Sequence, residues 1–214
     1  MASPDHLPRL HVLAGGPSPE ATLSAVDAAL AGGAPCIQLR AKDLSDRALY
    51  TTAVEVTQRC HELGAWCIVN DRVDIALASG ADGVHLGAQD LPVAAARRLA
   101  GDELLVGGTA RDAATASELV AAGASYLGVG PVYGTSTKDG LPEPFGPQGL
   151  APVAGAVGVP VIAISGITAS RVPEVVAAGA HGVAVASAIT GADDPAAAIR
   201  ALLEQLPEAS SAEA

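Results

Sequence analysis

The chain has 214 residues, half of them hydrophobic, and a formal net charge of −11. That length suits one domain with a sizeable core, and the acidic balance argues against nucleic acid or an anionic membrane as a partner, since both demand a basic face. With one Phe, one Trp and three Tyr, the core must be built from Ala, Val, Ile and Leu packed close, which suits helices lying tightly on a parallel sheet.

Residues 1–8 read as an N-terminal extension with no basic-then-apolar leader, so no signal peptide is expected. An apolar run follows at 10–14, and from there one device recurs: an Ala-rich segment ends in Gly-Ala or a close variant, then a short apolar run begins. Gly33-Ala34 precedes 36–40, Gly64-Ala65 precedes 66–70, and Gly80-Ala81 precedes 83–86. A run at 104–108 comes next; Gly123-Ala124 precedes 125–130, Gly158 precedes 159–164, and Gly179-Ala180 precedes 182–186. Glycine supplies the left-handed residue that closes a helix, so each such pair marks a helix-to-strand crossing. Between the runs the apolar residues step by three and four, as in Leu49, Ala53, Val56, Cys60 and Leu63, in Ala116, Leu119 and Val120, and in Val172, Val175 and Val176. Helix starts are predicted at Ser45, at Asp90 with Pro92 close behind, and at Thr168 or Ser170 before Pro173.

Eight short apolar strands, each followed by a helix, predict an α/β fold, a single (βα)8 TIM barrel with parallel strands spanning the whole chain. A doubly wound open sheet is the alternative, weakened because no Gly-x-Gly-x-x-Gly follows the first strand. Residues 131–147 form a long Gly/Pro-rich connection of the kind used as a lid, and 207–214 reads as a frayed, disordered tail. Three cysteines without finger or ribbon spacing point away from a disulfide framework and toward a reducing cytoplasm. No apolar stretch of membrane-spanning length escapes interruption.

In such a barrel the chemistry sits where strands end and loops begin. Arg40, Lys42 and Lys138 draw on a scarce supply of twelve Lys and Arg and together suit a polyanion such as diphosphate. Asp71 and Asp90 offer carboxylate oxygens for Mg²⁺. Gly166 and Ser187 stand where this fold usually cradles phosphate. Each of these has a plainer reading: Asp90 and Asp71 as helix caps, Arg40 and Lys42 as surface charges, Gly166 and Ser187 as features many unrelated barrels share. His85 is read as a residue that packs or hydrogen-bonds within the barrel, and no zinc spacing or Ser–His–Asp arrangement is present.

Taken together these segments resemble the thiamine-phosphate synthase family. Gln38-Leu39-Arg40-Ala41-Lys42-Asp43 is similar to its Gln-x-Arg-x-Lys signature; Asn70-Asp71-Arg72-Val73-Asp74, Gly83-Val84-His85-Leu86-Gly87 and Gln89-Asp90-Leu91-Pro92 resemble its central block. Gly130-Pro131-Val132 with Thr135-Ser136-Thr137-Lys138 resembles its lid, and the likeness covers roughly residues 9 to 205. The resemblance implies that Gln38, Leu39, Arg40, Ala41, Lys42, Asn70, Thr109 and Lys138 bind a pyrimidine diphosphate, partly through backbone groups. It also implies that Asp71 and Asp90 hold Mg²⁺, and that Thr135, Ser136, Thr137, Gly166, Ala186 and Ser187 hold a thiazole phosphate. Thr109 stands where the family usually has Ser, Ser165-Gly166 replaces a common Gly-Gly, and Ala14-Gly15-Gly16 replaces a frequent Thr-Asp.

The implied reaction needs no strong base. Diphosphate leaves the pyrimidinylmethyl group, the electron-rich aminopyrimidine stabilises the resulting cation, and the thiazole nitrogen captures it. Arg40, Lys42 and Lys138 are assigned to neutralising the leaving group. A thiazole tautomerase on the same barrel is the second reading; it lacks the diphosphate and metal residues and relies on a His where this chain has Arg111. A non-catalytic binding barrel and a phosphosugar isomerase are further readings on fold grounds. Small-molecule substrates are the expected partners, and the oligomeric state, a homo-oligomer included, is left open.

Overall fold

The computed structural model describes residues 3–135, 140 and 142–207. Eight strands make up its sheet: β1 Leu10–Ala14, β2 Cys36–Leu39, β3 Trp66–Asn70, β4 Gly83–Leu86, β5 Leu105–Ala110, β6 Tyr126–Val129, β7 Val161–Ile164 and β8 Gly182–Val185. All pair in parallel in chain order, and β8 returns to β1, Leu10 opposite Val183, to close the barrel. The helices outside it are α1 Pro19–Ala31, α2 Asp46–Glu62, α3 Val73–Ser79, α4 Val93–Ala100, α5 Ala113–Ala121, α6 Gly146–Gly155, α7 Val172–Ala177, the single turn α8 Ser187–Thr190, and α9 Pro195–Leu203. The fold is the predicted (βα)8 barrel, with all eight strands where the apolar runs fall.

Local chemistry starts the helices at the ends of the strands that carry the site. Ser18 accepts from Ala21 N at 3.2 Å, Ser45 from Ala48 N at 3.4 Å, Asp112 from Thr115 N at 2.8 Å, and Asp194 from Ala197 N at 2.9 Å. Each satisfies a backbone donor that the first helical turn leaves orphaned. Asp90 does not do this. The cap of α4 is Pro92, without a side-chain hydrogen bond, while Asp90 turns back to accept from Gly87 N at 2.7 Å. Thr168 caps only a 3₁₀ turn, Ala169–Arg171, that precedes α7.

Five of the six glycines read as helix stops, Gly33, Gly64, Gly80, Gly123 and Gly179, have positive φ; Gly158 does not. The reason is that α6 has already ended at Gly155, with Ala156 as its cap, so Gly158 lies past the turn. Leu63 likewise falls one residue beyond α2 and is 67% exposed, off the buried face its spacing suggested. Strand β5 runs two residues further than the apolar run at 104–108, which places Thr109 within the strand.

The strands separate two cores. Residues of one parity, such as Val12, Leu39, Val69, Val106, Leu127 and Val185, join the helices in a large aliphatic cluster rich in alanine. Residues of the other parity, Cys36, Ile68, Leu105, Tyr126, Ile162 and Ala184, fill the barrel interior. Leu7 joins that inner cluster from below, 3% exposed, and the 3₁₀ turn Pro4–His6 precedes it. Within the segment read as an N-terminal extension, Leu7 therefore plugs the barrel floor. It is held by Arg9 donating to the His181 carbonyl at 2.6 Å and by the His181 ring at 2.8 Å from the Leu7 carbonyl. The tail expected over 207–214 lies, apart from Pro207, outside the described residues. Cys36, Cys60 and Cys67 are free and buried, and no helix among the described residues is long and apolar enough to cross a membrane.

Candidate active site

Four neighbouring strand ends, β2 to β5, bring together most of the predicted polar residues. Gln38 points into the barrel, 4% exposed, and its Nε2 donates to Asn70 Oδ1 at 2.9 Å. Immediately above, Lys42 Nζ lies 2.8 Å from Asp71 Oδ2. Asp71 takes a left-handed backbone, φ +67°, which Asp tolerates better than most residues, and its N–H donates to the His85 carbonyl at 2.8 Å. Leu39 and Ala41 are buried in the aliphatic layer, so only their backbone groups are available to a ligand. Arg40 is half-buried, and its charge acts on Asp71.

The Asp71 and Asp90 carboxyls lie within hydrogen-bonding reach of each other. Burial pushes Asp71 up, but hydrogen bonds with Asp90 and Lys42 and the charges of Lys42 and Arg40 outweigh it and hold its carboxyl below the ordinary aspartate range. Burial and the neighbouring Asp71 push Asp90 up, against the pull of the Gly87 N–H. Of the two, Asp71 therefore loses its proton the more readily. Two hard oxygen donors crowded in this way suit a divalent cation such as Mg²⁺, which takes few protein carboxylates and completes its octahedron with water and phosphate oxygens. No group of three or more His, Cys, Asp or Glu that could hold a metal occurs among the described residues, so any ion here would rely on that partial set.

Below the carboxylates a polar chain crosses the barrel interior. His85 Nδ1 is 3.1 Å from the Tyr126 hydroxyl, His85 Nε2 is 3.0 Å from Thr109 Oγ1, and Thr109 Oγ1 donates to the Leu86 carbonyl at 3.1 Å. Burial lowers the His85 pKa to about 4, against the pull of Asp71. His11, tilted against the same Tyr126 ring at 5.6 Å between centroids, is lowered to about 3, chiefly by burial and then by His85. His85 thus hydrogen-bonds inside the barrel, as read from the sequence.

Across the mouth, β6, β7 and β8 carry the second group. Gly166 follows Ser165, and both are left-handed, at φ +65° and +81°. A Cβ on Gly166 would lie 2.5 Å from the Gly134 carbonyl oxygen, so the residue must be glycine for loop six to pack there. Ala186 is half-buried at the end of β8, and Ser187 is exposed at the start of α8. Thr135, the last described residue before position 136, is half-buried. Ser136, Thr137 and Lys138 lie outside the described residues. The first group stands on the ends of β2 to β5 and the second on the ends of β6 to β8.

Three residues here were not read from the sequence. Arg171 donates to the Gly166 carbonyl at 2.5 Å and lies 4.3 Å from the centroid of the Tyr133 ring; the Tyr133 hydroxyl donates to Glu174 Oε2 at 2.7 Å. Their only sequence signal is the scarcity of Arg and Tyr in this chain. Arg111, in the position expected of a tautomerase His, is exposed and donates to the Glu143 carbonyl at 3.3 Å.

Comparison with known proteins agrees with this arrangement. The thiamine monophosphate synthase family matches residues 11–189. A thiamine-phosphate synthase from Salinispora arenicola is 53% identical over 203 residues, covering 94% of this chain and 98% of its own length. The solved thiamine phosphate pyrophosphorylase from Pyrococcus furiosus superposes with a TM-score of 0.84 at 35% identity, over 94% of this chain and 96% of that one. A 3-hexulose-6-phosphate synthase, at 24% identity and a TM-score of 0.74 over 94% of this chain and all of that one, shares the barrel. The chain belongs to the thiamine monophosphate synthase family.

Proposed function

We propose that the chain condenses 4-amino-2-methyl-5-pyrimidinylmethyl diphosphate with a thiazole phosphate, or its carboxylate, giving thiamine phosphate and pyrophosphate, with Mg²⁺ as cofactor. The observation that carries this reading is the Lys42–Asp71–Asp90 cluster standing directly beside the Gln38–Asn70 pair. One half suits a diphosphate with a divalent cation and the other a flat, hydrogen-bonding heterocycle.

Gln38 and Asn70 hold the pyrimidine, each amide fixing the other's orientation. Lys42 and Arg40, with Lys138, neutralise charge on the departing diphosphate. Asp71 and Asp90 would hold Mg²⁺, which when bound would add positive charge beside the leaving group. Gly166, Ala186 and Ser187, with Thr135, Ser136 and Thr137, anchor the thiazole phosphate on the other side of the mouth, so that its nitrogen faces the methylene carbon. Positioning and charge neutralisation do the catalysis. The thiazole nitrogen already has its lone pair, which fits a site whose nearest histidine is held neutral. The free thiols support a reducing compartment such as the cytoplasm.

The test is to incubate the chain with both phosphorylated heterocycles, with and without Mg²⁺, and to measure thiamine phosphate and pyrophosphate. Both products are expected in equal amounts and only with the metal. Absence of product at saturating Mg²⁺ would overturn the reading.

A further inference from the structure

The polar chain inside the barrel runs in one direction, fixed by its last link. The Thr109 hydroxyl has a single hydrogen and donates it to the Leu86 carbonyl, which can only accept. Thr109 Oγ1 is then left with lone pairs alone to offer His85 Nε2, 3.0 Å away, so the proton between them sits on Nε2. At the other side of the ring Nδ1 is a lone pair, and the Tyr126 hydroxyl, 3.1 Å from it, donates to it.

The barrel makes room for this chain. A Cβ on Gly107 would collide with the Tyr126 ring, and one on Gly128 would lie 2.8 Å from His85 Cε1. Two strand-interior glycines, at positions where a side chain would ordinarily fill the barrel, thus leave space for the two rings.

We infer that His85 is a positioning residue: together with the Leu86 carbonyl it clamps the Thr109 hydroxyl so that one lone pair faces the barrel mouth, making Thr109 an acceptor that selects an N–H donor on the heterocycle. This rests on the function proposed above, which sets the pyrimidine on Gln38 and Asn70 at the ends of β2 and β3, on the side of the mouth where His85 and Thr109 stand on β4 and β5. The donor that heterocycle offers is its exocyclic 4-amino group. A 4-oxo pyrimidine presents an oxygen instead. To receive a hydrogen bond from Thr109, that oxygen would have to strip the proton from Leu86; otherwise two lone pairs meet. The clamp therefore discriminates amino from oxo pyrimidines at the binding step.

Two measurements test this. Nitrogen NMR of the full-length chain with labelled histidines, with His85 assigned through His85→Gln, should show Nε2 protonated and Nδ1 bare at neutral pH; a bare Nε2 overturns the inference. Calorimetry should then compare binding of the monophosphates of 4-amino-5-hydroxymethyl-2-methylpyrimidine and its 4-oxo analogue. The native chain should prefer the amino compound by at least about tenfold. Thr109→Val, which keeps the shape, should abolish the preference, and Thr109→Ser should keep it. His85→Leu should erode the preference, whereas His85→Gln, which retains an N–H donor, should rescue much of it. A ratio unchanged in Thr109→Val overturns the inference while leaving the proposed function intact. Failure of the native chain to bind either monophosphate overturns both.

Discussion

Arg171 lies over the ring of Tyr133 and simultaneously donates to the Gly166 carbonyl, so one side chain ties the start of loop six to the turn after β7. Tyr133 is itself tethered to Glu174, and its phenol is pushed up to about 12 by burial and by that carboxylate. The Gly166 peptide plane is thereby fixed. Removing the tie should loosen the proposed thiazole phosphate subsite without touching the pyrimidine subsite. The stacking and the hydrogen bond are each worth about 1 kcal/mol. Arg171→Ala should therefore raise KM for the thiazole phosphate roughly tenfold, with a much smaller change in KM for the pyrimidine diphosphate. Steady-state kinetics with each substrate varied in turn will check it.

Asp71→Asn preserves the left-handed backbone, since Asn also tolerates φ +67°, and removes the negative charge. We expect kcat to fall by about 100-fold and the Mg²⁺ concentration for half-maximal rate to rise. Stability should change by less than about 1 kcal/mol, because the Lys42–Asp71 pair is partly exposed. A Mg²⁺ titration of the rate beside a urea melt separates the two effects; an unchanged metal requirement would count against Asp71 as a ligand.

Ser165 sits at φ +81°, a conformation that costs a non-glycine residue about 1–2 kcal/mol. Ser165→Gly relieves that strain but gains entropy in the unfolded chain. A net stabilisation of about 0.5–1 kcal/mol is expected, seen as a rise in Tm of roughly 1–4 °C. Calorimetry on both forms measures it directly.

His11 and His85 are both held neutral by burial, at about 3 and about 4, against 6.5 when free. The folded state thus binds fewer protons than the unfolded one below pH 6.5. Their contribution to stability is fully present above that pH and is lost as pH falls toward the folded values. Between pH 6.5 and 5 the unfolding free energy should drop by about 1 kcal/mol per pH unit for each histidine, steepening toward about 1.4 at the acid end. Urea unfolding across that range should show the slope, and His11→Asn should roughly halve it.

Much of this molecule is legible along the chain because it is written in local chemistry. The Gly-Ala stops and apolar runs locate all eight strands, and Ser45 caps the helix it precedes. Asp71 and Asp90 are legible as a candidate pair from their places at strand ends, although each alone also reads as a helix cap, and the family resemblance strengthens the pairing. The misses share one cause. Leu7 in the barrel floor, Arg171 against Tyr133, and the direction of the Tyr126–His85–Thr109 chain depend on residues far apart in sequence meeting in space, and none leaves a periodic trace. Gly107 and Gly128 are the exception: a glycine inside a strand signals a close approach, and both lie beneath rings.

The floor latch joins residues 172 and 174 positions apart, Arg9 with His181 and Leu7 with His181. Such a staple forms only when nearly the whole chain is in place, which makes ring closure the most non-local event in folding. A fragment ending before His181 would lack both the latch and β8 and leave β1 and β7 as open edges, with the apolar floor uncovered and free to recruit strands from neighbouring molecules. Incomplete chains of this protein are thus destined for aggregates or proteolysis, and the latch acts as the fold's own check that synthesis has reached its last strand.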